Sequence, residues 1–558
     1  MGQSKKRRFC PAVGRDITSA ECGENRHSRY ACPESCPFNP FAPANYTALL
    51  AVEDLLDAFT LKRLVAEDPG ARGRILAAQR ANAGHGWHAA TVWQLFFQRD
   101  ERGSTWAERW AQADLAGLKN DERVQFRGKM QMRVVLLEVR RILDAERFEA
   151  VDLLEPDGAP RTFVDRSVGL RALRFTTLLT WAYPLPHFWK MSGTGIGMNE
   201  IGPFPAVESI EACIAHLGGP SELGAKRRWL AENFVRIDDA LMATGLERRR
   251  RMFVGLDASW VAATYELRAP LAAARAVLAG APGVLEEPLT TEEETQGFLH
   301  AMVWLDDRQT PGQNFADAAA GRVVLGRVVL GPKEWRVEGI GEARVARLRA
   351  AFEGRMGGQV VFSRERRADL GGRLAAKDPA PNLALVPPRL LERTSAFEFS
   401  SSRMPPPPPG VSMKDHLVAI ESEYRKTWAD GPLPALGGLS PRAAVDDPAL
   451  RPEVIELVKQ QVRQVDERNL ESGRSDDINF LIRDLGLAEI DIPPPPPRPR
   501  VPTGTGLNRE ENDGAGDEQG FAAMPGQSAA LRPAAPRLDG PPLTLDEAKQ
   551  RLTRVMRD

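Results

Sequence analysis

The sequence predicts a multidomain α+β protein that is mainly helical, with a small β-rich unit, a ββαβ unit and a disordered proline-rich tail. Three observations support this fold class. The chain has 558 residues, which is room for three to four domains of about 150 residues each. Apolar residues recur mostly at helical spacing, and two regions change to short runs of the strand type. Two proline runs, at residues 405–409 and 493–497, divide the second half of the chain.

The composition gives the chain no global attraction to polyanions. Lysine and arginine number 74 against 75 aspartates and glutamates, so the formal net charge is −1. Any nucleic-acid partner must therefore be met by a local basic run. No stretch of about 18 apolar residues is present, so no membrane-spanning helix is expected. Because the basic N-terminus lacks the apolar segment of a signal peptide, a reducing cytoplasmic location is predicted.

Four of the five cysteines form a cluster near the N-terminus. Cys10, Cys22, Cys32 and Cys36 are separated by 11, 9 and 3 residues. Four thiolates complete a tetrahedral shell around Zn²⁺ and supply folding free energy to a short polar segment. A filled shell leaves no position for a reactive water, so the sequence predicts a structural zinc module over residues 1–42. Three alternatives stay open: His27 in place of one cysteine, an iron–sulfur cluster, and four free thiols.

The predicted organisation follows changes of composition along the chain. After the zinc module, the predicted parts are a helical domain (43–147), a β-rich unit (148–206), a helical segment (207–300), a ββαβ unit (301–376), a proline-rich linker (377–411), a helical module (412–490), a disordered linker (491–542) and an amphipathic helix (543–558). The proline runs are expected to be extended polyproline II spacers that keep their neighbours apart.

Local patterns justify the elements within these parts. Apolar residues at helical spacing predict helical structure over residues 46–64, over residues 124–143 and over residues 207–280. Short apolar runs bounded by Pro-Asp-Gly and Pro-Leu-Pro predict strands and turns between residues 148 and 201.

The ββαβ unit has the sharpest pattern. Residues 323–330 and 335–340 are predicted strands that meet at Gly331 and Pro332. A helix over about residues 342–356 and a strand over residues 359–362 complete the unit.

Helix boundaries are clear in the C-terminal part. Ser412 has the position of an N-cap, Pro452 that of a first-turn proline, and Ser475 that of a cap for a short helix ending at Gly486. Residues 543–558 begin with a capping box and continue with one apolar face. Because such helices suit docking into a groove, a protein partner is predicted for residues 412–490 or 543–558.

A basic run could contact a phosphate backbone. Lys5, Lys6, Arg7 and Arg8 directly precede Cys10, and this run suits either phosphate contacts or a solvated terminus. Residues 248–251 are four arginines on a predicted helix, where a solvated face explains them equally well.

The aromatic stretch at residues 181–189 surrounds His187. This histidine either lines a pocket or lies in the core of the β-rich unit. The sequence contains no Walker loop and no assembled set of catalytic residues.

Two stretches resemble known families. Residues 428–444 match a "W…P…LGG…P" signature; they resemble the helical module in the toxin-binding region of Xre/MbcA/ParS-type antitoxins, which implies a protein-binding role. The body of the chain, through residues 137–139, 152–154, 165–167 and 344–349, resembles uncharacterised bacterial proteins that often carry a SEC-C-like cysteine metal motif. The second resemblance implies no activity.

The sequence therefore predicts a cytoplasmic, zinc-binding bacterial protein that acts as a binding or adaptor protein without catalysis. Two alternatives remain: a nucleic-acid-associated zinc protein that uses the basic run, and an enzyme with a pocket near His187.

Overall fold

The computed structural model describes residues 7–81, 86–155, 157–198, 205–255, 257–306, 324–377, 379–392 and 407–499. These residues form two compact units. The first contains the described residues up to Met242 and those from Ile455 onward, and the second contains those from Ala243 to Val454. Lys5, Lys6, residues 393–406 of the predicted linker, most of the predicted linker 491–542 and the predicted helix 543–558 lie outside the described residues.

Helices and three sheets alternate along the described chain, which confirms the α+β class. The helices are α1 Ser19–Asn25, α2 Tyr46–Glu67, α3 Ala71–Ala81, α4 Gly86–Phe96, α5 Trp106–Gln112, α6 Asn120–Lys129, α7 Arg166–Gly169, α8 Ala206–His216, α9 Leu223–Glu232, α10 Phe234–Gly255, α11 Leu271–Ala279, α12 Thr291–Thr295, α13 Glu342–Met356, α14 Leu370–Lys377, α15 Met413–Trp428, α16 Pro441–Ala444, α17 Arg451–Ser472 and α18 Asn479–Asp484. The strands are β1 Arg7–Cys10, β2 Arg15–Thr18, β3 Arg133–Ile142, β4 Arg147–Asp152, β5 Arg161–Val164, β6 Thr177–Pro184, β7 Trp189–Gly197, β8 Ser259–Leu267, β9 Val284–Glu287, β10 His300–Leu305, β11 Val324–Leu330, β12 Glu334–Ile340 and β13 Val360–Asp369. None of the helices in the described part of the chain has the length and apolar character needed to cross a membrane.

Five strands close a small barrel in the first unit, in the order β3-β4-β5-β7-β6. Neighbouring strands are antiparallel except β5 and β7, which run parallel where Phe163 pairs with Trp189. This strand order, with its third and fifth strands parallel, is the connectivity of an OB-fold barrel. Phe148 and Phe163 stack inside it with ring centroids 5.5 Å apart. The barrel thus contains the predicted β-rich strands and takes β3 as its first strand.

A layer of helices, α2 to α6, precedes the barrel. Leu56 and Leu64 of α2 pack with Leu95, Trp110 and Phe126 in one buried cluster. The predicted helix over residues 46–64 is confirmed as α2.

The last described segment is bound to the barrel. Fully buried Arg174 donates from Nε and Nη2 to the Asp466 carboxylate, at 2.8 Å in each case, and from Nη1 to the Ile492 carbonyl oxygen at 2.6 Å. Arg498 Nη1 donates to two carbonyl oxygens near α7 at 2.6 and 2.8 Å. Both flanks of the proline run 493–497 are therefore bonded to the barrel, while an extended run that keeps its neighbours apart stays a prediction.

An antiparallel sheet of six strands forms the second unit, in the order β13-β8-β12-β11-β10-β9. Residues of α11 and α13 pack over a core that includes Tyr265, Trp335 and Phe352. The predicted ββαβ elements are confirmed as β11, β12, α13 and β13, and Gly331 N–H closes the turn by donating to the Glu334 carbonyl oxygen at 2.9 Å.

Two helix predictions are wrong. Residues 133–142, placed in a predicted helix, form β3, and residues 259–267, in the predicted segment 207–280, form β8. Most residues of both strands are buried, so apolar side chains fill consecutive positions and also satisfy the spacing of a helix.

The C-terminal helix boundaries agree in part with the sequence: Pro452 lies in the first turn of α17, but Ser475 does not cap α18, which begins at Asn479 with Ile478 as its N-cap. Ser412 caps α15 by accepting a hydrogen bond from Asp415 N–H, and Ser440 caps α16 in the same way from Ala443 N–H. Gly437 and Gly438 have φ of 65° and 88°, so the Leu-Gly-Gly turn needs the left-handed backbone that glycine adopts freely.

Candidate metal centre

The cysteine module, residues 7–42, is built on a β-hairpin and a short helix. β1 pairs with β2 from Arg7 opposite Thr18 to Cys10 opposite Arg15. The chain turns at Gly14, whose φ of 64° lies in the left-handed region. Thr18 then caps α1 by accepting a hydrogen bond from Glu21 N–H. Local turn and cap chemistry thus fixes the first half of the module.

All four predicted metal ligands line one small cavity. Cys10, Cys22, Cys32 and Cys36 are 5 to 7 % exposed, and each lines a cavity of about 10 Å³. That volume corresponds to about one water-sized sphere. Four thiols that are separated in the sequence therefore converge on a space of nearly atomic size.

Charged groups and the neighbouring thiols affect the ionisation of the cysteines. Arg26 Nη2 donates to Cys22 Sγ at 3.7 Å, and Arg26 also pairs with Asp121 of α6. Burial raises the pKa of the Cys32 thiol, and the neighbouring Cys22 and Cys36 raise it further. A dication would oppose these effects, because it stabilises thiolates directly.

The side chains are not arranged as a finished coordination shell. Across the described ranges, no group of three or more histidine, cysteine, aspartate or glutamate side chains has the geometry to hold a metal ion. Zinc requires sulfur at about 2.3 Å in a tetrahedron. Coordination would therefore need the cysteine side chains to turn further into the cavity.

His27, the alternative ligand, does not line the cysteine cavity. Its Nε2 lies 3.0 Å from Asn39 Oδ1, and its ring packs edge-on against Phe41 and His187, with centroids 5.5 and 5.3 Å away. Burial lowers the pKa of His27, which favours the neutral ring. These contacts make His27 part of the packing around the module.

His187 joins the barrel to the cysteine module. Its Nε2 lies 2.9 Å from the Cys32 carbonyl oxygen. His187 lines neither the cysteine cavity nor the larger cavity of the first unit, which is described below. His187 therefore holds the barrel and the cysteine module together.

The described part of the basic run lies on the exposed side of the hairpin. The Arg8 guanidinium stacks over the Phe38 ring, 4.0 Å from its centroid. Phe9 and Phe38 are 63 % and 43 % exposed. The sequence pattern indicated the charge of this surface but not the Phe38 ring, since only the fold of the module brings Phe38 beside Arg8.

The second basic run lies on α10. Arg251 pairs with Glu247 at 2.8 Å, one helical turn away, and burial lowers the pKa of Arg248. This arrangement matches a helix surface with partly buried stems better than a free phosphate site.

A buried charge cluster was missed by the sequence reasoning. Glu53 of α2 lies between Lys129 Nζ and Lys190 Nζ, at 3.4 and 3.2 Å, and accepts a hydrogen bond from Tyr183 Oη at 3.0 Å. The three partners of Glu53 come from α6, β6 and β7. No local pattern marks Glu53, because its partners are distant in the sequence.

No family model matches this chain, and no match was found among curated proteins or among solved structures.

Proposed function

We propose that this chain is a zinc-stabilised binding protein in which Cys10, Cys22, Cys32 and Cys36 hold one Zn²⁺. The observation that supports this most strongly is the burial of all four thiols around one cavity of nearly atomic size. Cysteine thiolates are preferred ligands of structural zinc.

In this proposal the metal ties the hairpin and α1 to the loop that carries Cys32 and Cys36. That loop contacts His187 of the barrel, and α1 ends at Arg26, which pairs with Asp121. Zinc would therefore stabilise the docking of the module as well as its fold. Four cysteine ligands leave no open coordination position, so the metal would be structural. A reducing cytoplasm would keep the thiols available.

Elemental analysis of the purified full chain tests the metal. About one zinc per chain is expected, as for a single four-cysteine site. Cys32→Ala is expected to lose the zinc, whereas Cys213→Ala, which removes the buried cysteine of α8 outside the module, is expected to keep it. Full zinc content in Cys32→Ala would overturn the proposal, and iron in place of zinc would replace it by the iron–sulfur alternative.

A protein partner would bind through residues 412–490, or through residues 543–558, which lie outside the described residues. Affinity capture with and without residues 543–558 tests the second surface. An identical set of captured proteins would remove it.

A nucleic-acid partner is the second candidate, and one observation favours it. Phe9 and Phe38 are exposed beside Arg7 and Arg8, and exposed aromatic rings beside cationic groups are the stacking and phosphate-binding elements of single-strand binders. The OB-fold connectivity of the barrel agrees with this class.

Salt dependence tests the nucleic-acid candidate. Fluorescence anisotropy with a labelled single-stranded oligonucleotide is expected to show weaker binding at about 200 mM than at about 50 mM salt. Arg8→Gln should reduce the salt slope by about one, while Arg29→Gln, at an exposed position of the same module, should not. Binding that is equal at both salt concentrations would contradict this candidate.

A further inference from the structure

We infer that the first unit contains a binding cleft for a small phosphate monoester with a compact apolar body. The cleft has a volume of about 250 Å³ and is lined by residues of α5, the start of β3 and α9, together with the end of α4. Drug-sized ligands occupy about 300 to 1,000 Å³, so the occupant is smaller than these. The inference is independent of the proposed zinc site.

Arginines outnumber carboxylates in the lining of this cleft, which contains Arg99, Arg133, Arg227 and Arg228 against Glu108 and Glu232. Arg133 and Arg227 line it, and together with Arg161 they share the carboxylates of Asp152 and Glu155 at 2.7 to 3.0 Å. Three guanidinium groups therefore face two carboxylates. Burial, followed by the charge of Arg227, lowers the pKa of Arg133, which agrees with an excess of positive potential.

Unpaired donors accompany this charge. The Nε atoms of Arg133 and Arg227 are buried and have no hydrogen-bond partner within the described residues. A buried N–H that lacks a partner costs free energy, so the ion pairs of these two arginines leave their guanidinium groups incompletely satisfied beside the cleft. Exposed Arg228 lies at the rim, where it adds a further cation without having to be displaced from a buried ion pair.

Part of the lining is apolar. Phe96, Phe97 and Met132 line the cleft, and both phenylalanines are only half-buried. A ligand that fills this space needs an apolar or aromatic body beside its anionic group. A phosphate monoester carries about two negative charges at neutral pH, more than a carboxylate, and guanidinium groups match its oxygen geometry.

Isothermal titration calorimetry of the full chain with phenyl phosphate tests the cleft. Phenyl phosphate is expected to bind more tightly than inorganic phosphate, which lacks the ring, and than benzoate, which lacks the second charge. Arg228→Gln is expected to weaken phenyl phosphate binding by about tenfold, the effect of one charge-assisted hydrogen bond at the low end of its usual range. Arg171→Gln, at an exposed position of the barrel outside the cleft, is the matched control and should bind as the wild type does.

Three results would overturn the inference. These are the absence of phenyl phosphate binding at millimolar concentration, equal binding of benzoate and phenyl phosphate, and equal weakening by Arg228→Gln and Arg171→Gln. Both arginines are exposed, so their replacement should leave the fold intact, and far-UV circular dichroism verifies this before titration.

Discussion

Replacing Glu53 by glutamine is expected to remove the buried negative charge that joins α2 to the barrel. Glu53 is only 15 % exposed in its side chain and pairs with Lys129 and Lys190. In Glu53→Gln, Lys129 keeps Asp57 at 2.6 Å, whereas Lys190 loses the carboxylate with which it pairs. Breaking a buried ion pair on one side costs about 3 to 5 kcal/mol. We expect the variant to lose about 3 kcal/mol of unfolding free energy at pH 7.

The same residue gives a pH dependence with a defined sign. Burial opposes ionisation of Glu53, but the charges of Lys190 and Lys129 outweigh it and lower the pKa from 4.5 to about 2. A carboxyl group whose pKa falls on folding adds stability above its unfolded pKa, and this stability is lost as the pH drops toward the folded pKa. The difference between the two values is worth about 3 kcal/mol at neutral pH, of which about 1 kcal/mol is lost between pH 5 and pH 3.5.

Urea unfolding followed by far-UV circular dichroism at pH 7, pH 5 and pH 3.5 measures both the loss of stability and its pH dependence. The stability gap between the wild type and Glu53→Gln should shrink by about 1 kcal/mol from pH 5 to pH 3.5. Glu101→Gln, at an exposed position, should stay within about 0.5 kcal/mol of the wild type. The reasoning is refuted if Glu53→Gln matches Glu101→Gln at pH 7, or if the gap is the same at pH 5 and pH 3.5.

Two further substitutions test the packing of the first unit. Asp466→Asn leaves the fully buried Arg174 without its carboxylate and should cost about 3 to 5 kcal/mol in urea unfolding; equal stability of Asp54→Asn, an exposed site on α2, and Asp466→Asn would contradict this. Gly128→Ala would place a Cβ 2.6 Å from a backbone carbonyl oxygen of β6 and should cost about 1 to 3 kcal/mol. On α3, the added Cβ of Gly73→Ala meets nothing within 4 Å, so this variant should gain up to about 1 kcal/mol of stability. Equal shifts of the thermal unfolding temperature in the two alanine variants would contradict the close contact at Gly128.

Local chemistry made part of the fold predictable. Ser412 was recognisable as a cap because a side-chain oxygen before a helix satisfies its free N–H groups. The strands at β11 and β12 were recognisable because a Gly-Pro turn separates two apolar runs. β3 and β8 were not, since a strand buried on both faces lacks the alternation that distinguishes it from a helix.

The candidate sites also differ in whether the sequence could predict them. The cysteine cluster was visible because its members are close in the sequence and share one chemistry, and the fold brings all four to one cavity. The Glu53 cluster and the arginine cleft were invisible, because their residues come from elements that only the barrel and the helical layer bring together. The bond from Arg174 to the Ile492 carbonyl oxygen was equally hidden, since the neighbouring residues 493–497 have the composition of a spacer.

X-ray absorption at the zinc edge of the purified full chain tests the central claim most directly. The account predicts a single shell of four sulfur atoms at about 2.3 Å, with the spectrum unchanged in Cys213→Ala. A shell dominated by nitrogen or oxygen, or a zinc shell in Cys32→Ala that still contains four sulfur atoms, would contradict it.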